Sequence, residues 1–362
     1  MVKRTIIAAS AAIILAAGLM SCSSGDLYSA PKFKAEEEIR FELLSDELMF
    51  TPWGIKQRDT LLVVPGFSTE SQNTLFVFDK NTGELVREGV RYGRGPGETV
   101  DGYYNVTLDG DTVRYHERSG MGNMSFSLRE FVESGSSMSC TKESRMLPKW
   151  CMYYRELPED RLLTIQSKGY QSKDTMAVRS VSVENPDGTV ARYDGSPVKD
   201  PAESFVTYMQ PYVTVSPDGT RLAVASGYGA ILETFDISDG IENISTSYYL
   251  DPDVTVTGGT SVRSDDSVFG IGGMCSTDDM VFCSYDGETK YGDMRRRPRE
   301  ERPLIYRNIA AFDWLGRPQI LYRSEYRVMY LCADENDGSR IYAILSDNEG
   351  RYYIGRLDYD DS

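Results

Sequence analysis

Five stretches of the chain repeat one pattern: a short β-branched or aromatic run, a polar turn, and a returning run. They are TLFVFDKNTGELVREG (74–89), RSVSVENPDGTVARYDG (179–195), YVTVSPDGTRLAVASG (212–227), NIAAFDWLGRPQILYRSE (308–325) and RIYAILSDNEGRYYIGRLD (340–358). In the first, Leu75 and Val77 point to one face of the strand and Phe76 and Phe78 to the other. Asn, Asp and Gly at the turns tolerate the backbone conformations a hairpin needs. Only SFSLREFVESG (125–135) has helical spacing, and it reads as a short insertion. Many short antiparallel strands over more than three hundred residues demand an architecture that covers both faces of every small sheet. A β-propeller does this by packing the sheets radially.

Taking residues 38–362 as the body, six blades average about 54 residues, somewhat longer than a WD40 repeat. No G-H…W-D signature is present. The spacing places blade-sized units near 47–90, 100–155, 156–202, 203–250, 254–309 and 310–362. The segment IRFELLSD (39–46) reads as a strand with no sequence neighbour to pair with. Closing the ring supplies one: an N-terminal strand added to the last blade, which removes an exposed edge. The expected fold is therefore all-β, a six-bladed β-propeller whose last blade is closed by an N-terminal strand.

Upstream of the body, Lys3 and Arg4 precede an apolar run from Ile6 to Met20, and the stretch ends in Leu19-Met20-Ser21-Cys22. That is the layout of a secretory leader. The stretch resembles a bacterial lipobox, which implies a signal peptide over 1–21, acylation of Cys22 and a tether over 22–37. Ser23 rather than Asp after Cys22 implies the outer membrane, so the expected location is lipid-anchored there, facing periplasm or exterior. The chain carries 39 basic and 55 acidic residues, a net charge of −16. A field of that sign repels nucleic acid and anionic head groups, leaving the lipid anchor as the expected membrane contact. The basic run DMRRRPRE (293–300) reads as a solvated loop facing Glu300 and Glu301.

No catalytic constellation emerges. His116 is the sole histidine, so a Ser-His-Asp or multi-histidine metal site must use it, and it reads as a half-exposed strand residue. DENDG (334–338) lacks the register and closing glutamate of an EF-hand loop. A channel-bound Ca²⁺ or Mg²⁺ held by acidic side chains from several blades leaves no trace in local sequence, and stays open. Besides Cys22, the cysteines Cys140, Cys151, Cys275, Cys283 and Cys332 match no metal spacing and read as small apolar residues. Cys275 and Cys283 flank a turn that permits a cross-strand pair.

YGRGPGE (92–98) looks at first like a phosphate loop. Glu98-Thr99 stand where a Walker A loop needs Lys-Ser or Lys-Thr, and Glu98 also replaces the last glycine of a dinucleotide fingerprint. Pro96 and Gly97 instead suit the two central positions of a tight turn, with positive φ at Gly97. The loop reads as the corner between the first two blades. Tyr92, Arg94, Glu98 and Tyr103 are the ligand-binding candidates there, because such loops often rim a propeller's channel. The 24 tyrosines suit blade faces, and exposed ones suit stacking on sugars.

SPDGTRLAVAS (216–226) and DENDGSRIYAILSD (334–347) resemble the strand–DG–strand units of TolB-like six-bladed β-propellers. With the lipobox and GRGPGE after the first blade, the chain resembles propeller lipoproteins of Bacteroides and its relatives. The resemblance implies no shared catalytic set. The expected role is a binding or scaffolding module for an envelope protein or glycan. The competing expectation is a hydrolase or lyase using acidic channel residues and a divalent cation.

Overall fold

The computed structural model describes residues 27–100, 106–116, 123–134, 141–143, 151–167, 179–195, 197–198, 207–208, 211–257, 260–298 and 301–359. The chain is a six-bladed β-propeller. Blade 1 is built from Thr51–Pro52, Lys56–Arg58, Leu61–Phe67, Asn73–Asp79 and Leu85–Arg91. Blade 2 has Val106–Asp109, Thr112–Tyr115, Asn123–Ser127 and Thr141–Glu143, and blade 3 has Cys151–Leu157, Arg161–Ser167, Arg179–Glu184 and Val190–Asp194. Blade 4 runs through Tyr212–Val215, Arg221–Ala225, Ala230–Asp236 and Glu242–Leu250. Blade 5 uses Ile271–Ser276, Met280–Tyr285, Asn308–Asp313 and Pro318–Arg323, and blade 6 uses Arg327–Ala333, Arg340–Ser346 and Tyr352–Asp358. In blades 2 to 6 the first strand lies innermost, and the inner strands of blades 2 and 3, 4 and 5, and 5 and 6 pack on one another around the axis.

Burial follows from that geometry. Middle strands are sandwiched between neighbouring blades, so Leu61–Phe67, Asn73–Asp79 and Ala230–Asp236 are buried on both faces. Outer strands meet water on one face, and Val190–Asp194 alternates exposed and half-buried positions. Each buried Val, Leu, Ile or Phe contributes about 1.5–3 kcal/mol relative to exposure. Blades 5 and 6 join through Phe282, Ile309, Val328, Ile341 and Leu345. Blades 3 and 4 join through Leu163, Ile165, Val181, Leu222, Ile231 and Phe235. The aspartate turns are built by their own side chains: the Asp218 carboxylate accepts from Thr220 N at 3.0 Å, and Asp187 from Thr189 N at 2.9 Å.

The N-terminal strand closes the last blade as expected. Glu42 and Leu43 pair antiparallel with Arg356 and Gly355 as its outermost strand. Leu44 N and Leu48 N extend the seam to the carbonyls of Ile354 and Tyr352. The docked chain, however, starts upstream of the 22–37 tether's expected end. Tyr28 packs edge-on against Tyr248, Ser29 N donates to Tyr248 O, and Ala35–Glu38 adds a parallel fifth strand to blade 5. The acidic run AEEE shows no apolar alternation. It is held by backbone bonds and by the Glu36–Arg323 pair at 2.7 Å.

Two blade boundaries differ from the sequence reading. Cys151–Leu157 opens blade 3 instead of ending blade 2. The hairpin 308–323 completes blade 5, because the extra hairpin Val254–Thr257/Thr260–Arg263 and the helix Tyr291–Arg296 lengthen that repeat. Among the described residues of 125–135 the helix covers Leu128–Ser134, since Asn123–Ser127 is a strand of blade 2. Ser127 Oγ caps this helix by accepting from Glu130 N at 3.0 Å. Its Phe131 packs over Gly89 on the outer strand of blade 1.

Candidate functional site

Two concave regions flank blade 1: an outer groove against blade 6 and the central channel. They are built by opposite charges.

The groove has a volume of about 1040 Å³ and lies between residues 43–50, the face of blade 1 and the end of blade 6. Gly83, in the turn of the first predicted hairpin, fixes one wall. Its φ of +72° suits glycine, and a Cβ there would strike the Leu44 carbonyl. Phe50 lies flat on Phe76, centroids 3.6 Å apart, and Tyr353 lines the far side. Met49, Leu85 and Leu43 are 78%, 51% and 40% exposed there, an aliphatic surface rather than a platform of open aromatic faces. Asp46, Glu47, Glu70, Glu84 and Glu88 surround it. Arg351 is the one basic residue among its described lining, and it already pairs with Asp347 at 2.7 Å and Glu349 at 3.2 Å.

The seam beneath is held by a buried ion pair. Lys80 of blade 1 donates to both oxygens of Asp334 of blade 6, at 2.8 and 3.1 Å, and Tyr342 OH adds a bond at 3.1 Å. Burial opposes ionisation of Asp334, but the bonds from Lys80, Asn336 N and Tyr342 outweigh it and hold the carboxyl below its ordinary pKa. Burial beside the Asp334 charge raises the Tyr342 phenol to about 12.

The channel holds a cavity of about 160 Å³ bounded by blades 1, 2, 5 and 6. Trp53, Ile55, Lys56, Val106, Met274 and Tyr330 are among its lining. Lys56 sits at the start of the strand Lys56–Arg58 and is half-buried. Burial lowers its pKa, and the charge of Arg155, on the inner strand of blade 3, lowers it further. Cys332 of blade 6 lies close by, and burial raises its thiol to about 11. Among the described residues no carboxylate pairs with Lys56 or Arg155.

The YGRGPGE corner has the expected turn. Glu98 N donates to Gly95 O at 3.1 Å across Pro96-Gly97, and Gly97 has φ +74°. With Pro96 and Gly97 central, this is a type II turn. The Glu98 carboxylate folds back to accept from Gly95 N at 2.7 Å and occupies the space a Cβ on Gly93 would need. The loop thus fills its own anion-sized hollow with a carboxylate. Arg94 is exposed, and Tyr92 packs edge-on against Phe67 at 5.8 Å. Phe67 in turn lies parallel to Trp53 at 6.3 Å, so this aromatic chain leads from the corner to the channel lining. Tyr103 and Cys22 lie outside the described residues.

Other expectations are revised by packing. His116 is buried, not half-exposed: its Nε2 lies 3.0 Å from Thr107 Oγ1 and its ring 4.1 Å from that of Tyr154 of blade 3. Arg295 and Arg296 pair with Asp265 at 3.2 and 2.8 Å. Cys275 and Cys283 are buried free thiols, offset by one position in the strand register, while Cys332 is a half-buried free thiol and the half-buried Cys151 Sγ donates to Tyr153 O. Among the described residues no group of three or more His, Cys, Asp or Glu is placed to hold a metal ion. The one charged residue in the cavity's described lining is the cation Lys56, so the described residues do not fit a channel-bound Ca²⁺ or Mg²⁺.

Sequence reasoning missed Lys56, Arg155 and the groove. It also missed a fully buried lock between blades 3 and 4, where Arg179 Nη2 donates to Glu233 at 2.8 Å and Tyr208 OH to the same carboxylate at 3.0 Å. No local motif marks any of them.

No protein-family profile matches the chain, and no curated protein matches it. Among solved structures it is similar to the β-propeller domain of the trilobed protease from Pyrococcus furiosus. That likeness has TM-score 0.42 and 9% identity, covering 86% of this chain and 97% of that one. It is also similar to the Cps50 (Swd1) β-propeller domain of Myceliophteria thermophila, with TM-score 0.43 and 10% identity over 85% and 84% of the two chains. A third likeness is to the complex of KlAtg21 with the coiled coil of AgAtg16, with TM-score 0.42 and 11% identity over 87% of each chain. At such identities these are likenesses of fold.

Proposed function

We propose that this propeller is a binding module, held at the outer membrane by a lipid on Cys22, whose groove takes an extended, basic segment of an envelope protein. The observation that carries the reading is the groove's chemistry: exposed Met49, Leu85 and Leu43 inside a rim of five carboxylates. Apolar contact supplies affinity, and the carboxylates select lysine and arginine and speed encounter. A glycan site fits less well, because the groove's exposed side chains are aliphatic. An enzyme dependent on acidic channel residues fits less well, because the one charged residue in the cavity's described lining, Lys56, is a cation.

The test is fluorescence anisotropy with a labelled peptide alternating Lys and Leu, beside its Glu/Leu counterpart. The Lys/Leu peptide binds, weakens with salt, and loses at least tenfold in affinity against a Met49→Asp/Leu85→Asp variant. Equal binding of both peptides, or indifference to the double variant, overturns the reading. For the anchor, a Cys22→Ala variant moves to the soluble fraction. No helix among the described residues is long and apolar enough to cross a membrane. Retention of a processed Cys22→Ala chain in the membrane contradicts the lipid tether.

A further inference from the structure

The channel is chemically unlike the rest of the molecule. In a chain of net charge −16, Lys56 lines the axial cavity and Arg155 of blade 3 lies near enough for its charge to act on Lys56, and among the described residues no carboxylate pairs with either. Elsewhere three inward-facing cations have carboxylate partners, Lys80 with Asp334, Arg179 with Glu233 and Arg114 with Glu156, while the buried Arg161 guanidinium donates to the backbone carbonyls of Ile237, Ser238 and Gly219. An uncompensated charge in a partly dehydrated space costs stability. Lys56 is also not disposed of by folding outward, since it lines an open cavity of about 160 Å³, room for on the order of five waters.

We propose that the central channel is a binding site for a compact oxyanion, a carboxylate or a phosphate, seated between Lys56 and Arg155. The two cations have complementary geometries. Lysine offers a point charge with three donors, and arginine a planar fork matched to two oxygens of one anion. Trp53, Tyr330, Met274 and Val106 form the remaining wall, which suits the apolar or sugar face of an organic anion. Tyr92 and Phe67 buttress Trp53, so the YGRGPGE corner acts on this site by positioning an aromatic wall. The inference does not depend on the groove, whose preferred ligand carries the opposite charge.

The experiment is isothermal titration of the purified lipid-free chain at pH 7 with glucuronate and, separately, inorganic phosphate. At least one anion binds saturably with one site per chain. Lys56→Met lowers that affinity at least tenfold, Lys56→Arg keeps part of it, and Arg155→Met lowers it as well. Binding of glucuronate alone assigns an organic carboxylate, and binding of phosphate alone assigns a phosphate group. Unfolding curves of the same variants establish that they are folded. Heat from neither anion overturns the proposal, and so does undiminished binding in a folded Lys56→Met/Arg155→Met double variant.

Discussion

Lys80 and Lys56 both belong to blade 1 and both face the same stretch of blade 6, yet their surroundings are opposite. Lys80 meets Asp334, with Tyr342 completing the carboxylate's bonds. Lys56 meets the Cys332 thiol and the like charge of Arg155. The first arrangement ties two blades where the ring is closed. The second leaves a cation facing a cavity. A paired buried charge is best explained by architecture, because removing its partner strands the other charge. An unpaired one beside an open space calls for a ligand.

The largest effect is expected at the seam. Asp334→Ala strands the Lys80 ammonium and the Tyr342 hydroxyl, and should cost about 3–5 kcal/mol of unfolding free energy in urea. A loss below about 1 kcal/mol would remove the seam from the account. Next comes Gly97→Val. Its φ of +74° disfavours a β-branched residue, so thermal melts should show a loss of about 1–3 kcal/mol. Arg94→Ala, at the exposed tip of the same loop, should change stability by under about 1 kcal/mol. A variant order reversed from this would mean the corner is held by Arg94 and not by turn geometry.

Acid and alkali separate the regions by sign. Asp334 has a folded pKa below its ordinary value, so its contribution is complete above that ordinary value and disappears as pH falls through the folded one. Lys56 has a folded pKa below 10.5, so its charge opposes folding at neutral pH, and the penalty fades as pH rises from the folded value towards 10.5. Stability measured against pH should therefore lose part of its acid-side fall in Asp334→Asn and part of its alkaline relief in Lys56→Met. Unchanged slopes in both would show that neither group is coupled to folding.

The fold was far more legible than the site. Repeated hairpins with aspartate turns, the orphan strand near 39–46 and the Pro96-Gly97 turn are local signals, and each corresponds to an observed feature. The parallel strand Ala35–Glu38 was not legible, because AEEE carries no alternation and its partner lies near residue 320. Lys56 in GIKQRD looks like any exposed lysine before a turn. Only ring closure brings it beside Arg155 and Cys332, so its meaning resides in long-range geometry. The groove is likewise assembled from 43–50, 68–88 and 351–353, stretches far apart in sequence, none of which marks a groove by itself.

The central claim is that the seam lysine serves the fold and the channel lysine serves a ligand, and one substitution made at both positions tests it. Urea unfolding of Lys80→Met and Lys56→Met, without added anion, should give very different curves. Lys80→Met leaves the buried Asp334 carboxylate unpaired and should lose about 3–5 kcal/mol. Lys56→Met removes an uncompensated cation and keeps the apolar stem, so its midpoint should equal or exceed that of the unaltered chain. If Lys56→Met falls as far as Lys80→Met, the channel lysine is a structural residue and the distinction fails.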